Sequence, residues 1–196
     1  MAATVEFLFD FGSPTTYLAW TQLAGICAEH SATLVYRPVL LGGIFAATGN
    51  ASPATIPAKA RYMGSDLARF ARRYGVPFAF NPHFPINTLT MMRIATGLVA
   101  DRDAFARYLA AIFPAMWVEG LNLGESSVLE ATIAKAGLDV SRTVALASDA
   151  GVKAMLKAET ERAVERGVFG APSMFVGEEL FFGQDRLDFV REALRA

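Results

Sequence analysis

The hydrophobic pattern at the start of the chain predicts a β-α-β unit. Residues 5–9 form an aromatic and β-branched run that is typical of a buried strand. Gly12 interrupts this run, and Ser13 followed by Pro14 indicates a helix start, because serine is a favoured N-cap and proline fits the first helical position. The predicted helix continues to about His30, and residues 33–39 predict a second strand.

The middle of the chain predicts helices, and its end returns to β structure. From about residue 56 to residue 166, apolar side chains recur at helical spacing between segments rich in proline and glycine. Residues 173–176 and 180–182 predict two short strands, and Gln184 and Asp185 begin a final helix. This order predicts an α/β fold of the thioredoxin-like type. Residues 1–50 and 167–196 would form the thioredoxin-like domain, and residues 51–166 an inserted helical domain.

Composition and charge narrow the class of protein. Hydrophobic residues make up 53% of the 196-residue chain, which predicts a large core or a buried subunit interface. No run approaches the roughly 18–20 apolar residues of a membrane-spanning helix, so no membrane association is expected. The net charge of −1 gives no electrostatic reason to expect a nucleic-acid partner. Cys27 is the only cysteine and the first residues lack a basic signal-peptide flank, which together predict a cytoplasmic protein.

Ser13 is the first candidate for chemistry. Its hydroxyl is predicted to lie at a helix N-terminus, where unpaired backbone N–H groups and the helix dipole favour an anion. An ordinary N-cap is the alternative, and the local sequence alone favours it. A hydrolase-type serine nucleophile is disfavoured because it needs a positioned base, and neither His30 nor His83 forms a recognisable triad with Ser13.

Two further segments, near the end of the chain, offer binding groups. Pro172 directly precedes a predicted strand, which suggests a cis peptide bond that would expose the backbone of Ala171 to a peptide-like ligand. A loop proline that only starts the strand is the alternative. Gln184 and Asp185 could bind the ammonium and carboxylate groups of a ligand, or could simply cap the final helix.

The order of motifs along the chain resembles one protein family. Residues 9–19, Phe-Asp-Phe-Gly-Ser-Pro-Thr-Thr-Tyr-Leu-Ala, resemble the opening motif of the 2-hydroxychromene-2-carboxylate isomerases. That family is related to the kappa-class glutathione transferases within the DsbA-like group. The resemblance continues in family order through residues 41–45, 49–50, 59–67, 117–120, 168–175 and 181–187. One motif would be weak evidence, but several in order over nearly the whole chain make chance similarity a poor explanation.

The resemblance implies a glutathione-dependent enzyme and suggests roles for individual residues. Ser13 matches the serine that holds the sulfur of glutathione as a thiolate, and Thr15 lies where the backbone approaches the ligand. Ala171, before the expected cis Pro172, matches the residue whose backbone pairs with the cysteinyl part of glutathione. The other implied contacts are Asn50, in the loop after the second strand, and Gln184 with Asp185, at the γ-glutamyl end.

The chain also differs from its relatives at informative positions. Kappa-class enzymes carry serine where this chain has Gln184, so the resemblance supports a contact by Asp185 more directly than one by Gln184. Disulfide oxidoreductases of the DsbA type have Cys-Pro-x-Cys at residues 13–16, where this chain has Ser-Pro-Thr-Thr, which excludes dithiol exchange. Cys27 is predicted to be an inert thiol on the apolar face of the first helix.

Candidates for the pocket of a second, aromatic substrate come from the helical block. Tyr62 and Asp66 share a helix face that could point into a cleft, although Asp66 could instead pair with Arg69. Three further candidates are His83, Asn87 and Trp117, with a core position as the alternative for the tryptophan. No cluster of side chains has the spacing of metal ligands.

The predicted function is glutathione-dependent isomerisation of 2-hydroxychromene-2-carboxylate or a related intermediate of aromatic-compound degradation. A kappa-like transferase that conjugates electrophiles is the alternative, and a glutathione-binding protein without turnover is a third possibility. The expected partners are glutathione and a small aromatic substrate, and the relatives imply a homodimer.

Overall fold

Strand β1 (Thr4–Phe9) lies inside a four-stranded sheet. In the computed structural model, which describes residues 3–195, the other strands are β2 (Thr33–Pro38), β3 (Ser173–Val176) and β4 (Glu179–Phe182). Their order across the sheet is β2-β1-β3-β4. β1 runs parallel to β2 and antiparallel to β3, and β3 pairs with β4 as a hairpin. The parallel pair requires a crossover connection, which the predicted first helix supplies.

The helices follow the predicted order along the chain. α1 (Pro14–Glu29) connects β1 to β2, and α2 (Leu41–Thr48) follows β2. The helical block comprises α3 (Pro57–Tyr74), α4 (Leu89–Leu98), α5 (Arg102–Trp117), α6 (Ser126–Lys135), α7 (Val140–Ala145) and α8 (Ala150–Glu165). The chain ends with a 3₁₀ turn (Gln184–Arg186) and α9 (Leu187–Ala193). Within residues 3–195, no helix is long and apolar enough to cross a membrane.

Aromatic side chains join the sheet to the helical block in one hydrophobic core. Phe9 and Phe11 are fully buried, and the ring centroids of Phe11 and Phe113, on α5, are 4.7 Å apart. Phe113 also stacks on Trp20 of α1 at 4.8 Å. Such aromatic pairs stabilise a core beyond the area that they bury. Both predicted domains contribute to this core, and the boundary between them stays a prediction.

The predicted thioredoxin-like α/β fold is confirmed, and the main difference in its elements is α2. No helix is predicted over residues 41–48, where Gly42 and Gly43 lower the helix propensity. The structure forms a helix there because α2 packs closely on α8: a Cβ at Gly43 would lie 3.2 Å from Cγ2 of Thr160. Tertiary packing therefore outweighs the local propensity at this point in the chain.

Candidate functional site

The residues predicted to carry chemistry converge on one cavity of about 530 Å³. Its walls are the β1–α1 connection, the loop after α2, one face of α3, the loop before α4 and the segments that flank β3 and β4. The predicted residues that line it are Ser13, Thr15, Asn50, Asp66, Ala171, Gln184 and Asp185. A larger groove of about 820 Å³ lies between α2, α4 and α8, but none of the predicted residues borders it. The smaller cavity is therefore the candidate site.

Ser13 is the N-cap of α1, and its hydroxyl takes part in three hydrogen bonds. The N–H of Thr16 donates to Oγ at 3.2 Å, and Oγ donates to the carbonyl oxygen of Ala171 at 2.8 Å. Oγ also lies 2.8 Å from Oγ1 of Thr15. A serine hydroxyl has a single proton, which here goes to the carbonyl of Ala171, so Thr15 is the donor in the third bond. The N-cap alternative is thus confirmed, and it leaves Ser13 on the cavity wall.

The peptide bond between Ala171 and Pro172 is cis, as the sequence predicts. Within residues 3–195 the amide N–H of Ala171 has no hydrogen-bond partner, while its carbonyl accepts from Ser13. Ala171 also lines the cavity, so its N–H is available to an extended, peptide-like ligand. A second cis bond, between Phe84 and Pro85, was not predicted, and both of its residues line the cavity.

Asn50 connects two walls of the cavity. Its Nδ2 donates to the carbonyl oxygen of Phe169 at 2.8 Å, and its Oδ1 accepts from the N–H of Ala51 at 2.8 Å. Gly49 precedes it with a φ of 70°, which ends α2 and lets the chain turn. An amide side chain has two N–H groups, so one N–H of Asn50 fixes the loop and the other is left for a ligand.

Gln184 and Asp185 begin the 3₁₀ turn that follows β4. Gly183 has a φ of 96°, and a Cβ at this position would lie 2.5 Å from Oδ1 of Asp185, so the turn requires glycine. The Asp185 carboxylate also pairs with Arg186, with Oδ2 2.6 Å from NH1. Tyr74, on α3, donates its hydroxyl to the carbonyl oxygen of Gln184 at 2.6 Å. The turn is therefore held against the helical block.

Asp10 is a functional candidate that the sequence analysis missed. It is fully buried at the base of the cavity. Its Oδ1 accepts from the N–H of Gly12 at 2.8 Å and the hydroxyl of Thr88 at 2.7 Å, and its Oδ2 accepts from the N–H of Leu41 at 2.8 Å. Burial raises the pKa of Asp10, and these three donors oppose the rise. One sequence feature could have indicated this role: Asp10 is the one charged residue in the aromatic run of residues 7–11. A carboxylate buried with that run needs hydrogen-bond donors or an opposite charge from elsewhere in the chain.

The charged side chains that line the cavity are acidic. They are Asp10, Asp66 and Asp185, and the part of the lining formed by residues 3–195 includes no lysine or arginine. An ammonium group on a ligand therefore has the carboxylates of Asp66 and Asp185 as partners, since the Asp10 carboxylate is fully buried and already hydrogen-bonded. The carboxylate groups of a ligand depend instead on neutral donors, such as the Asn50 amide and the backbone N–H groups at the N-terminus of α1.

The cavity includes only part of the predicted pocket for a second substrate. Asp66 lines the cavity and also pairs with Arg69 at 3.7 Å, so the two predicted alternatives coexist. Trp117 requires a correction: it is fully buried in the core, where its Nε1 donates to the carbonyl oxygen of Phe11 at 2.8 Å. A buried indole needs such a partner for its N–H, and this contact holds Trp117 in the core.

Tyr62, His83 and Asn87 do not border the cavity in the described chain. Tyr62 lies on α3 with 65% of its surface exposed. Asn87 directs its Oδ1 to the N–H of Leu89, at the start of α4. The roles of these residues toward a substrate stay predictions. The apolar lining comes from side chains that the sequence analysis did not name: Phe45, Met63, Phe84, Pro85 and Ile86.

Known proteins share this fold and resemble this sequence over nearly its full length. Residues 4–195 match the sequence family described as DSBA-like thioredoxin domain. The chain is also 32% identical, over 197 residues, to the 2-hydroxychromene-2-carboxylate isomerase of Sphingobium xenophagum, and the match covers 99% of each protein. The chain belongs to the DSBA-like thioredoxin family, together with these isomerases. The resemblance predicted from the motifs is confirmed.

Two more relatives place this DSBA-like protein within its family. A solved structure of a 2-hydroxychromene-2-carboxylate isomerase superposes with a TM-score of 0.86 at 31% identity, over 98% of this chain and 94% of that one. Human glutathione S-transferase kappa 1 is 26% identical over 204 residues, which cover 97% of this chain and 90% of the relative. Both enzyme groups expected from the motifs are thus represented among its relatives.

One difference separates this DSBA-like protein from a dithiol oxidoreductase. Ser13 and Thr16 stand where a Cys-Pro-x-Cys motif would place its cysteines. Cys27 is buried on α1, and burial raises its pKa to about 11. Because a thiol with that pKa stays protonated at neutral pH, Cys27 is the inert core residue that the sequence predicts.

Proposed function

We propose that this protein is a glutathione-dependent isomerase that acts on 2-hydroxychromene-2-carboxylate or a related intermediate of aromatic-compound degradation. The observation that carries the proposal is the Ser13 hydroxyl. It lies at the N-terminus of α1, on the cavity wall, and is hydrogen-bonded to the residue before the cis proline. Similarity over nearly the full length to isomerases of that name supports the substrate class.

The residues of the cavity fit the parts of glutathione. The cysteinyl portion is an extended peptide, for which the N–H of Ala171 is a suitable partner. Asp185 has a carboxylate for the γ-glutamyl ammonium group, and Gln184 adds an amide at the same turn. Asn50 offers an N–H from the loop after α2. These contacts would leave the sulfur near Ser13 and Thr15, at the start of α1.

Ser13 would act as a hydrogen-bond donor and not as a nucleophile. When bound, glutathione would supply a thiolate that adds reversibly to the conjugated substrate and allows rotation about the former double bond. A hydrogen bond to a charged group contributes about 1.5–3 kcal/mol, and a helix N-terminus about 0.3–1 kcal/mol. Since one pKa unit corresponds to about 1.36 kcal/mol, the Ser13 hydroxyl would lower the pKa of the bound thiol by about one to two units.

Glutathione binding would change the hydrogen-bond acceptor of the Ser13 hydroxyl and so enable it to donate to the sulfur. In the structure, Ser13 gives its single proton to the carbonyl of Ala171. A peptide-like ligand that pairs with Ala171 would donate its own N–H to that carbonyl. Ser13 could then turn its proton toward the sulfur, while Thr15 and the N–H of Thr16 continue to donate to Oγ and hold it in place.

A kappa-like glutathione transferase is the second candidate. It is favoured by the 26% identity to human glutathione S-transferase kappa 1 over 97% of this chain. The Ser13 geometry serves either reaction, because a thiolate that stays attached to its electrophile yields a conjugate. A glutathione-binding protein without turnover would use the same binding groups. The cytoplasmic location and the homodimer stay predictions.

Thermal unfolding tests the cofactor, and paired assays then test the reaction. A ligand that binds only the folded state at a hundredfold excess over its Kd stabilises it by about 2.7 kcal/mol, or about 5–10 °C in Tm for a chain of this length. Isomerisation of the hydroxychromene carboxylate and conjugation of a chloronitrobenzene should then be compared with and without glutathione. Conjugation alone would favour the transferase, and no Tm shift at millimolar glutathione would refute the cofactor.

Two aspartates near the C-terminus provide a matched pair of variants. Asp185→Asn should raise the Kd for glutathione, because Asp185 lines the cavity at the proposed γ-glutamyl end. Asp188→Asn should leave the Kd unchanged, since Asp188 lies on α9 with its side chain 68% exposed and does not border the cavity. Equal affinities in the two variants would contradict the γ-glutamyl assignment.

A further inference from the structure

The carboxylate of Asp10 lies where the N-termini of three helices converge. Its three donors are the N–H of Gly12, just before α1, the N–H of Leu41, the first residue of α2, and the hydroxyl of Thr88, just before α4. All three donor–acceptor distances are between 2.7 and 2.8 Å. The side chain is fully buried, and within residues 3–195 it has no salt-bridge partner.

Each of these segments continues into a wall of the candidate site. Gly12 directly precedes Ser13, α2 leads to the loop that contains Asn50, and Thr88 follows the cis Pro85 and Ile86, which line the cavity. α2 and α4 also begin without a side-chain cap of their own, at Leu40 and Thr88. At α2 the carboxylate of Asp10 therefore takes the place of an N-cap side chain for the N–H of Leu41. At α4 it holds the hydroxyl of Thr88, while Asn87 accepts from the N–H of Leu89.

We propose that Asp10 is the positioning residue of this site. It fixes the relative positions of three parts of the cavity wall: the segment with Ser13, the segment with Asn50 and the loop before α4. The inference rests on the proposed glutathione-dependent function, since it concerns the geometry of that cavity. Asp10 would act through Gly12, Leu41 and Thr88, without touching substrate or cofactor.

The packing at Gly12 supports this role independently of the hydrogen bonds. A Cβ at Gly12 would lie 3.2 Å from Cγ2 of Thr88 and 3.3 Å from Oδ1 of Asp10, so the β1–α1 connection and the loop before α4 are in close contact around the carboxylate. Burial of a carboxylate is costly unless donors satisfy it. The three donors must therefore stay in place together, and displacement of one wall should disturb the others.

Two conservative substitutions test the inference. Asp10→Asn is isosteric, but its NH₂ group must face at least one of the three donors, which breaks a contact. Thr88→Val keeps the shape of the side chain and removes one donor. Thr132→Val is the matched control, because Thr132 is also buried but its hydroxyl donates to Val128 within α6, away from the cavity. Ile133→Ala is a second control that lowers stability in the same helix.

Glutathione affinity should be measured by calorimetry at a temperature where every variant is folded. We expect Asp10→Asn to raise the Kd about tenfold and Thr88→Val about threefold, because each loses a hydrogen bond to the carboxylate. Both controls should bind as the wild type does. Wild-type affinity in Asp10→Asn, with a Tm lowered as in Ile133→Ala, would overturn the positioning role.

Amide hydrogen exchange, measured without glutathione, separates this inference from the proposed function. Asp10→Asn should speed exchange in peptides that cover the start of α2 and the start of α1, whereas Ile133→Ala should not. If the wild type does not bind glutathione, the proposed function fails, but these exchange rates still decide whether Asp10 holds the helix starts. Unchanged exchange at both segments would overturn the inference even if glutathione binds.

Discussion

β1 and the residue that follows it carry two carboxylates in opposite environments. Glu6, within the strand, has a side chain 21% exposed and accepts from Arg37 and Arg166, both at 2.9 Å. Asp10, just beyond the strand, is fully buried and accepts from two backbone N–H groups and the hydroxyl of Thr88. One carboxylate is balanced by charges at the surface, and the other by neutral donors beneath the cavity.

The two environments shift the pKa in opposite directions. Burial raises the pKa of Glu6, but the hydrogen bonds and charges of Arg166 and Arg37 outweigh it, so the pKa lies below its ordinary value. At Asp10, burial outweighs the neutral donors, and the pKa is raised. Exposed ion pairs contribute about 0–1 kcal/mol, whereas buried polar groups are costly to disturb. We therefore expect substitutions near Asp10 to change binding and chemistry, and substitutions at Glu6 to change stability slightly.

The largest effect is expected from Ser13→Ala. Turnover at neutral pH should fall about ten- to a hundredfold, because the bound thiol loses a donor and its pKa rises by about one to two units. Ultraviolet titration of the thiolate should show this rise directly, and turnover should partly recover as the pH increases. Glutathione should still bind, through Asn50, Ala171 and Asp185.

Ser173→Ala is the matched control for this experiment. Ser173 is also a buried serine, and its hydroxyl donates to the carbonyl of Gly170 at 2.9 Å. The control should leave the pKa of the bound thiol unchanged. If Ser13→Ala binds glutathione but remains inactive at every pH, Ser13 is not a donor to the thiolate, and the nucleophile alternative gains support.

Trp117→Phe should lower stability without affecting the ligand. The substitution leaves the buried carbonyl of Phe11 without its donor, which costs about 1–3 kcal/mol in the free energy of unfolding. Urea unfolding measures this loss, and calorimetry should give the wild-type Kd for glutathione. Unchanged stability with a raised KM for the aromatic substrate would instead restore Trp117 to the second-substrate pocket.

These contrasts show which parts of the molecule its sequence could predict. The strands, α1 and the N-cap role of Ser13 depend on neighbouring residues, so local pattern and motif order predicted them. The environment of Asp10 depends on Leu41 and Thr88, which are 31 and 78 residues away along the chain, and no local pattern connects them. Motif similarity included Trp117, but it does not determine whether the indole lines the cavity or, as the structure shows, packs in the core.

A smaller effect is expected from Thr15→Val. Thr15 donates to Oγ of Ser13, and loss of this donor should make the Ser13 hydroxyl a weaker donor to sulfur. Turnover should fall about threefold, with a rise of a few tenths of a unit in the pKa of the bound thiol. Thr15→Ser should restore both values because it keeps the hydroxyl. Wild-type values in Thr15→Val would show that this bond does not assist Ser13.

The smallest effect is expected from Glu6→Gln, which changes the carboxylate that is paired with arginines. At neutral pH the variant should lose less than about 1 kcal/mol of unfolding free energy, and salt should reduce the loss. Glutathione affinity should not change, because Glu6 does not line the cavity. Glu178→Gln is the control, since Glu178 is exposed in the turn between β3 and β4.

The pH dependence of this small loss gives the sharpest contrast between the two carboxylates. Because the folded pKa of Glu6 lies below its ordinary value of 4.5, its ion pairs stabilise the protein above that pH and cease to do so as the pH falls through the folded pKa. The difference in unfolding free energy between wild type and Glu6→Gln should therefore disappear at acidic pH.

The raised pKa of Asp10 has the opposite effect on stability, because its ionised form costs stability as the pH rises above the ordinary pKa of 3.8. Urea unfolding across this pH range should show opposite trends for Glu6→Gln and Asp10→Asn, and parallel trends would contradict the comparison.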